Sequence, residues 1–402
     1  MQDMDTLISK YKRLLQATST TYVRSLMDDI NWKTRLLAIR GARGVGKTTL
    51  MLQYLKMNYE GDGRDALYVS LDNVYFTRHS LGEFVEQFYM RGGKHLFLDE
   101  VHKYPEWSRE IKNIYDEYPD MRIVFSGSSL IQILNAEADL SRRCIAYDMQ
   151  GLSYREFLKL YYGIDVRRYT LDEILNAPDT ICADVNGKCR PLAYFDEYLQ
   201  MGYYPFRLEG NDDYYTRIEN VANMILEMEL PQQCGLDVGN VRKLKALLAI
   251  LATEVPMMVD MTKLSIMSGV SRTTLLAYLQ YLYRARLINL LYSDLDSLKK
   301  LQKPDKIYLE NPNLLYVFSL DEVNKGTLRE VFMTNQLSYK HQVEYSSRRA
   351  DYTIDRRYTI EVGGKSKDGK QVAGESEAFI AADNIEYSVE NKIPLWAFGF
   401  LY

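Results

Sequence analysis

The 402-residue chain is poor in cysteine (4), histidine (4), tryptophan (3) and proline (10). Four cysteines, Cys144, Cys182, Cys189 and Cys234, are too few for a disulfide scaffold. Only Cys182 and Cys189 are close in sequence, and no histidine lies near them, so the spacing of a zinc site is missing. The scarcity of histidine argues against a His-based metal enzyme. No run approaches the roughly 18 consecutive apolar residues of a membrane-crossing helix, so no membrane partner is expected. The first residues, MQDMDTLISKYKR, carry acids where a signal peptide carries basic residues, and they lack an apolar core. A cytoplasmic protein is expected. The net charge of −4 argues against a protein basic all over that coats nucleic acid.

What is present is uneven. Residues 236–300 carry nine Lys+Arg against five Asp+Glu, net +4, whereas residues 301–402 carry 13 against 15, net −2. The basic excess is local. Four short apolar runs, in RLLAIRG, ALYVSLD, KHLFLDE and MRIVFSGSS, alternate with the amphipathic stretches TTLMLQYLKMNY, LGEFVEQFYM and WSREIKNIYDEY. A fifth run, in CIAYDMQ, supplies another strand. This alternation predicts a mostly parallel sheet covered by helices on both faces. Beyond Gly151 the pattern turns helical, then β-rich again from Lys306, with one good helix at Gly326–Leu337.

Residues 41–48 read Gly41-Ala42-Arg43-Gly44-Val45-Gly46-Lys47-Thr48, a full match to the Walker A pattern, followed by Thr49. Glycines let backbone N–H groups turn inward as an anion nest, and the following helix N-terminus adds favourable partial charge. ATP is the ligand expected. Lys47 is placed for its β- and γ-phosphates and the Thr48 hydroxyl for Mg2+. HLFLDE ends a strand in two acids: Asp99 to hold the metal as a Walker B carboxylate, Glu100 as general base for the attacking water. Ser126, at the end of the next apolar run, either senses the γ-phosphate or closes an ST turn. Arg142 and Arg143, in DLSRRC, are candidates to stabilise charge in the transition state, or simply solvate a surface.

The runs GARGVGKTTLMLQYL, LFLDEVHKYPEW, FSGSSL and DLSRRC…LSYREFL resemble AAA-type ATPases of the archaeal-ATPase-like group. The resemblance is specific over residues 36–157 and looser beyond. It implies an α/β P-loop NTPase with a parallel sheet, then a helical and winged-helix segment, then a smaller α/β nuclease-like domain of the restriction-endonuclease type. The expected divisions are 1–155, 156–235, 236–300 and 301–402. The resemblance also makes Arg142 or Arg143 an arginine finger, acting within one chain or between copies in an oligomer.

Within residues 260–287, Thr262–Met267 reads as a short helix and Ser271 as the cap of a second, whose Leu275, Leu279 and Leu282 face a core. This is a helix-turn-helix pattern with LINLLY as a wing strand. Arg272, Thr273 and Thr274 would then meet double-stranded DNA, unless the unit mediates protein contacts instead. Near the C-terminus, a three-residue hairpin at Asp355-Arg356-Arg357 would set Asp351 opposite Glu361. That pair, with Glu330 as a further acid, resembles the PD-(D/E)xK nuclease core. The lysine departs from that pattern. Two residues after Glu361 stands Gly363, and the first lysine, Lys365, lies about 7 Å further along an extended strand. A bulge or turn at Gly363-Gly364 would bring it back. A nuclease-like fold kept for binding or structure is expected, rather than an active nuclease. Three functions remain open: an ATPase working on DNA, a slow nucleotide switch that binds a protein, and an ATP-regulated nuclease.

Overall fold

The computed structural model describes residues 4–127, 140, 142–254, 257–293, 303–319, 322–346, 350–367 and 377–402. Ser128 and Ser129 of the FSGSSL run, and Asp139 and Ser141 of DLSRRC, lie outside them. The chain divides into two compact units, residues 1–151 and 152–402. Among the described residues, no helix is long and apolar enough to cross a membrane.

In the first unit, helix α1 (Met4–Ala17) precedes β1 (Leu36–Arg40), α2 (Lys47–Asn58), β2 (Ala66–Ser70), α3 (Leu81–Met90), β3 (His95–Asp99), α4 (Trp107–Glu117), β4 (Arg122–Gly127) and β5 (Ile145–Asp148). All five strands are parallel, in the order β2-β3-β4-β1-β5. The apolar runs explain this arrangement. Leu36, Leu37, Ala38 and Ile39 are all buried, so β1 has no solvent face and needs cover on both sides. Helix α3 starts where Ser80 and Glu83 form a capping box: Ser80 Oγ accepts from the Glu83 N–H, and the Glu83 carboxylate from the Ser80 N–H. The result is a mixed α/β unit consistent with a P-loop NTPase fold. Because β3, β4 and β1 are neighbours, their carboxyl ends open onto one edge, where ligands of such sheets bind.

The second unit begins with helices α5 (Tyr154–Tyr162), α6 (Leu171–Asn176), α7 (Pro178–Asn186), α8 (Leu192–Met201) and α9 (Tyr214–Met224). Next come α10 (Val238–Glu254), β6 (Met257–Met258), α11 (Met261–Ser268), α12 (Arg272–Arg284), β7 (Ile288–Leu291) and β8 (Lys306–Leu309). Strands β6, β8 and β7 form a small antiparallel sheet in that order. Helix α11 is capped by Asp260, whose carboxylate accepts from the N–H groups of Thr262 and Lys263. It stops at Gly269, in the left-handed conformation (φ +65°). Ser271 caps α12, and Leu275, Leu279 and Leu282 are buried as expected.

Helices α13 (Pro312–Phe318) and α14 (Lys325–Leu337) lead to a second sheet. It holds β9 (Val343–Tyr345), β10 (Tyr352–Ile354), β11 (Tyr358–Gly363), β12 (Ala378–Ala382) and β13 (Lys392–Pro394). Strands β9, β10 and β11 are antiparallel, and β11, β12 and β13 are parallel. Ile354 pairs with Tyr358, the register expected from a three-residue loop. Asp355 and Arg356 take positive φ in that loop.

Candidate nucleotide site

The loop between β1 and α2 is shaped by its glycines. Gly44 and Gly46 have φ of +84° and +102°, values that other residues reach only with strain. Gly46 is the N-cap of α2 and brings no side chain to its first amides, leaving those donors turned to the loop. Gly41 is held close by a neighbouring strand end: a Cβ there would lie 2.3 Å from the Met149 carbonyl oxygen. Lys47, 6% exposed, donates from Nζ to the carbonyls of Gly41 and Ala42, each at 2.9 Å. Its ammonium therefore sits within the curl of the loop, where an anion would meet it.

Asp99, at the end of β3, is 2% exposed and collects donors from two other strands, a helix and the residue that follows it. Its carboxylate accepts from Thr48 Oγ1 at 2.6 Å, from Tyr68 OH at 2.8 Å, from Ser126 Oγ, and from the Glu100 N–H at 3.0 Å. The structure thus brings Lys47, Thr48, Asp99 and Ser126 together. Arg43 is half-buried on the loop, and Thr49 is exposed in the first turn of α2. Thr48 and Asp99 offer hard oxygen donors, the chemistry Mg2+ prefers, so these residues fit that ion.

Glu100 adopts the left-handed backbone conformation (φ +53°), a costly one for a residue with a Cβ. Burial and the adjacent Asp99 charge raise its pKa, against the opposing pull of Lys47 and Arg43. His102 Nε2 stands 3.4 Å from its carboxylate. A carboxylate so destabilised is a better proton acceptor than an exposed one.

Residues 33–158 match the family model described as "AAA domain". That match supports an AAA-type P-loop fold for this part of the chain. Residues 192–323 match a domain family of unknown function, DUF8612. Two uncharacterised proteins of Methanocaldococcus jannaschii are similar to the chain. One is 25% identical, covering 96% of this chain and 88% of the relative; the other is 24% identical, covering 80% and 71%. Among solved structures, C. elegans PCH-2 (16% identity, TM-score 0.25) shares 38% of this chain, which spans 43% of that one. The S. cerevisiae Hsp104–ADP complex (16%, TM-score 0.26) shares 71%, and here the chain spans 39% of its counterpart. Those two likenesses are too slight to bear on function.

The first unit holds two residues that the sequence alone does not single out. Tyr68, on β2, donates its hydroxyl to Asp99. Nothing marks it in the sequence except a polar tip inside an apolar run. Arg24, 7% exposed, donates to the carbonyls of Val45 (2.9 Å), Gln150 (2.8 Å) and Gly151 (2.8 Å). It fastens the middle of the phosphate loop to the chain segment that follows β5. No local pattern reveals it, because its partners are backbone atoms distant in sequence. The two finger candidates differ. Arg143 makes a two-pronged ion pair with Asp116 of α4, at 3.0 Å for each prong, whereas Arg142 is exposed.

In the second unit, Arg272 and Thr273 are exposed and Thr274 half-buried at the start of α12, where the Ser271 and Thr274 hydroxyls lie 2.9 Å apart. The C-terminal acids do gather, but around lysines. Lys306 Nζ, from β8, lies 3.2 Å from Glu330 Oε2 and 3.4 Å from Asp351 Oδ1. Burial opposes the charge on Lys306, yet the two carboxylates outweigh it and hold its pKa above the ordinary value. The Tyr308 hydroxyl donates to Glu330 at 2.5 Å, and the Val362 N–H to Asp351 at 2.8 Å.

Glu361 pairs with Lys367, not with Lys365, which is exposed. The reason is geometric. β11 ends at Gly363, and a turn closed by the Lys367 N–H on the Gly364 carbonyl (3.0 Å) folds the chain back. That reversal brings the lysine six residues after Glu361 to its carboxylate instead of the one four residues after it. Among the described residues, no three His, Cys, Asp or Glu side chains are grouped to hold a metal ion.

Proposed function

We propose that the chain is an ATP-hydrolysing AAA-type protein that uses magnesium and couples its nucleotide cycle to double-stranded DNA held by the second unit. The observation that carries the first part is the bond between Thr48 and Asp99, at 2.6 Å beneath a loop whose own carbonyls hold Lys47. When nucleotide enters, Lys47 exchanges those carbonyls for the β- and γ-phosphate oxygens, and the amides at the start of α2 bind the remaining charge. Thr48 and Asp99 hold the magnesium ion, which when bound neutralises charge on the phosphates. Ser126 keeps the Asp99 carboxylate turned toward Thr48. Glu100 accepts the proton of the attacking water, helped by its raised pKa. Arg142, exposed and not tied to Asp116, is the better finger candidate, and it would serve a neighbouring copy in an oligomer.

The second part rests on the order helix, strand, helix, helix, strand, strand from Val238 to Leu309, with its small antiparallel sheet. That order supports a winged-helix unit, reaching to Leu309, with Arg272, Thr273 and Thr274 toward a groove and its phosphates. The mixed sheet from Val343 to Pro394, packed with α14, supports a nuclease-like domain kept for binding or structure. The test is ATP turnover with and without double-stranded DNA, comparing wild type with Glu100→Gln. Turnover raised by DNA and abolished by Glu100→Gln supports the reading. Turnover indifferent to DNA rejects the DNA coupling and leaves a switch whose partner is a protein.

A further inference from the structure

A nuclease-like core would place a divalent cation among Glu330, Asp351 and Glu361. The residues present do not fit one. The space between Glu330 and Asp351 is taken by the Lys306 ammonium, within 3.4 Å of both. Further donors crowd the same carboxylates: the Tyr308 hydroxyl shares Glu330 Oε2 with Lys306, the Val362 amide holds Asp351 Oδ2, and Lys367 pairs with Glu361 Oε1. A cation entering here would have to displace two ammonium groups and overcome their repulsion.

We propose that Lys306 is the resident cation of this cluster, an internal ammonium that replaces a divalent metal and latches the small antiparallel sheet to the C-terminal one. The placement explains the choice of residue. Lys306 opens β8, whose partner strands are β6 and β7, while Glu330 lies on α14 and Asp351 just ahead of β10. The two carboxylates are 15% and 18% exposed, and Lys306 is 11% exposed. Uncompensated like charges so sheltered from water repel strongly, and removing one partner of a buried pair strands the other. The rings of Tyr345 and Tyr308, centred 5.4 and 5.8 Å from Nζ, add an electron-rich surround that favours an ammonium. The cluster is therefore satisfied from within the chain. On this inference the C-terminal sheet folds without metal, and the small sheet of the proposed winged unit is held to it by charge. It concerns the second unit alone and stands whether or not ATP is hydrolysed.

Two measurements on the full-length chain test it. In the first, bound Mn2+ per chain is counted by electron paramagnetic resonance, comparing wild type with Glu330→Gln/Asp351→Asn. The nucleotide site is the same in both, so any difference belongs to this cluster. Equal binding is expected, and loss of one Mn2+ in the variant would overturn the proposal. In the second, Lys306→Met is made in wild type and in the Glu330→Gln/Asp351→Asn background, and the urea midpoint of the second unit is followed through Trp396. The midpoint is expected to fall in wild type and to hold steady in the neutralised background. An equal fall in both would mean that Lys306 contributes packing only, and would overturn the latch. If Lys306→Met does not fold, the Mn2+ comparison still decides.

Discussion

Replacing Arg24 with methionine removes three hydrogen bonds from a cationic donor to the Val45, Gln150 and Gly151 carbonyls, all between 2.8 and 2.9 Å. A bond to a charged group contributes roughly 1.5–3 kcal/mol net. Three of them give a simple sum above about 4.5 kcal/mol, and entry of water to the freed carbonyls returns part of that. The expected loss is about 3–4 kcal/mol in the stability of the first unit. Arg24→Lys keeps the charge but not the planar fork, so it should fall between methionine and wild type. The loop should suffer as well. Val45 lies between the two glycines that turn the anion nest, and releasing its carbonyl lets the nest relax. ATP affinity should then drop about tenfold, equal to about 1.4 kcal/mol. Urea unfolding followed through Trp32 and Trp107, both in the first unit, reads the stability, and titration with a fluorescent ATP analogue reads the affinity. If Arg24→Met unfolds at the wild-type urea concentration, the clamp is not a stabilising contact and the reasoning fails.

Tyr68→Phe should leave metal-free nucleotide binding intact while raising the Mg2+ concentration needed for half-maximal turnover, because Asp99 loses one of its orienting donors. An unchanged magnesium dependence would show that Thr48 and Ser126 orient Asp99 by themselves. Glu310 offers a pH test in the second unit. It is 2% exposed, and burial pushes its pKa up to about 7, against the pull of Arg286 at 4.0 Å. The native state keeps a proton that the unfolded chain releases, so stability should fall as pH rises from about 4.5 to about 7. Glu310→Gln should flatten that slope and be more stable than wild type above pH 7 by up to about 3 kcal/mol. Urea unfolding at pH 5, 6, 7 and 8 measures it, and parallel slopes would contradict the assignment.

The first unit was largely legible because its signals are local. Strands buried on both faces read as unbroken apolar runs, and Gly44 and Gly46 reflect backbone angles that few other residues tolerate, as Gly41 reflects a close approach to Met149. The acids at the end of β3 followed from the strand's direction. Contacts between distant segments were not legible. Arg24 bonds backbone carbonyls 21, 126 and 127 residues away, and carbonyls carry no residue identity. In the C-terminal hairpin, Ile354 pairs with Tyr358 as the three-residue loop predicts, and Asp351 accepts from the Val362 N–H, one residue beyond Glu361. The lysine partner was missed because a turn at Gly363-Gly364 was expected to return Lys365, whereas the turn closed between Gly364 and Lys367 returns Lys367. Lys306 lay beyond such reasoning, since it arrives from a different sheet.

The central claim is that the loop at residues 41–48 is a working ATP site, and calorimetric titration with ATP and Mg2+ tests it most directly. Wild type should bind one ATP per chain, and Lys47→Ala should lose that binding while unfolding at a similar temperature. Equal ATP binding by a folded Lys47→Ala variant, or none by wild type, would contradict the account.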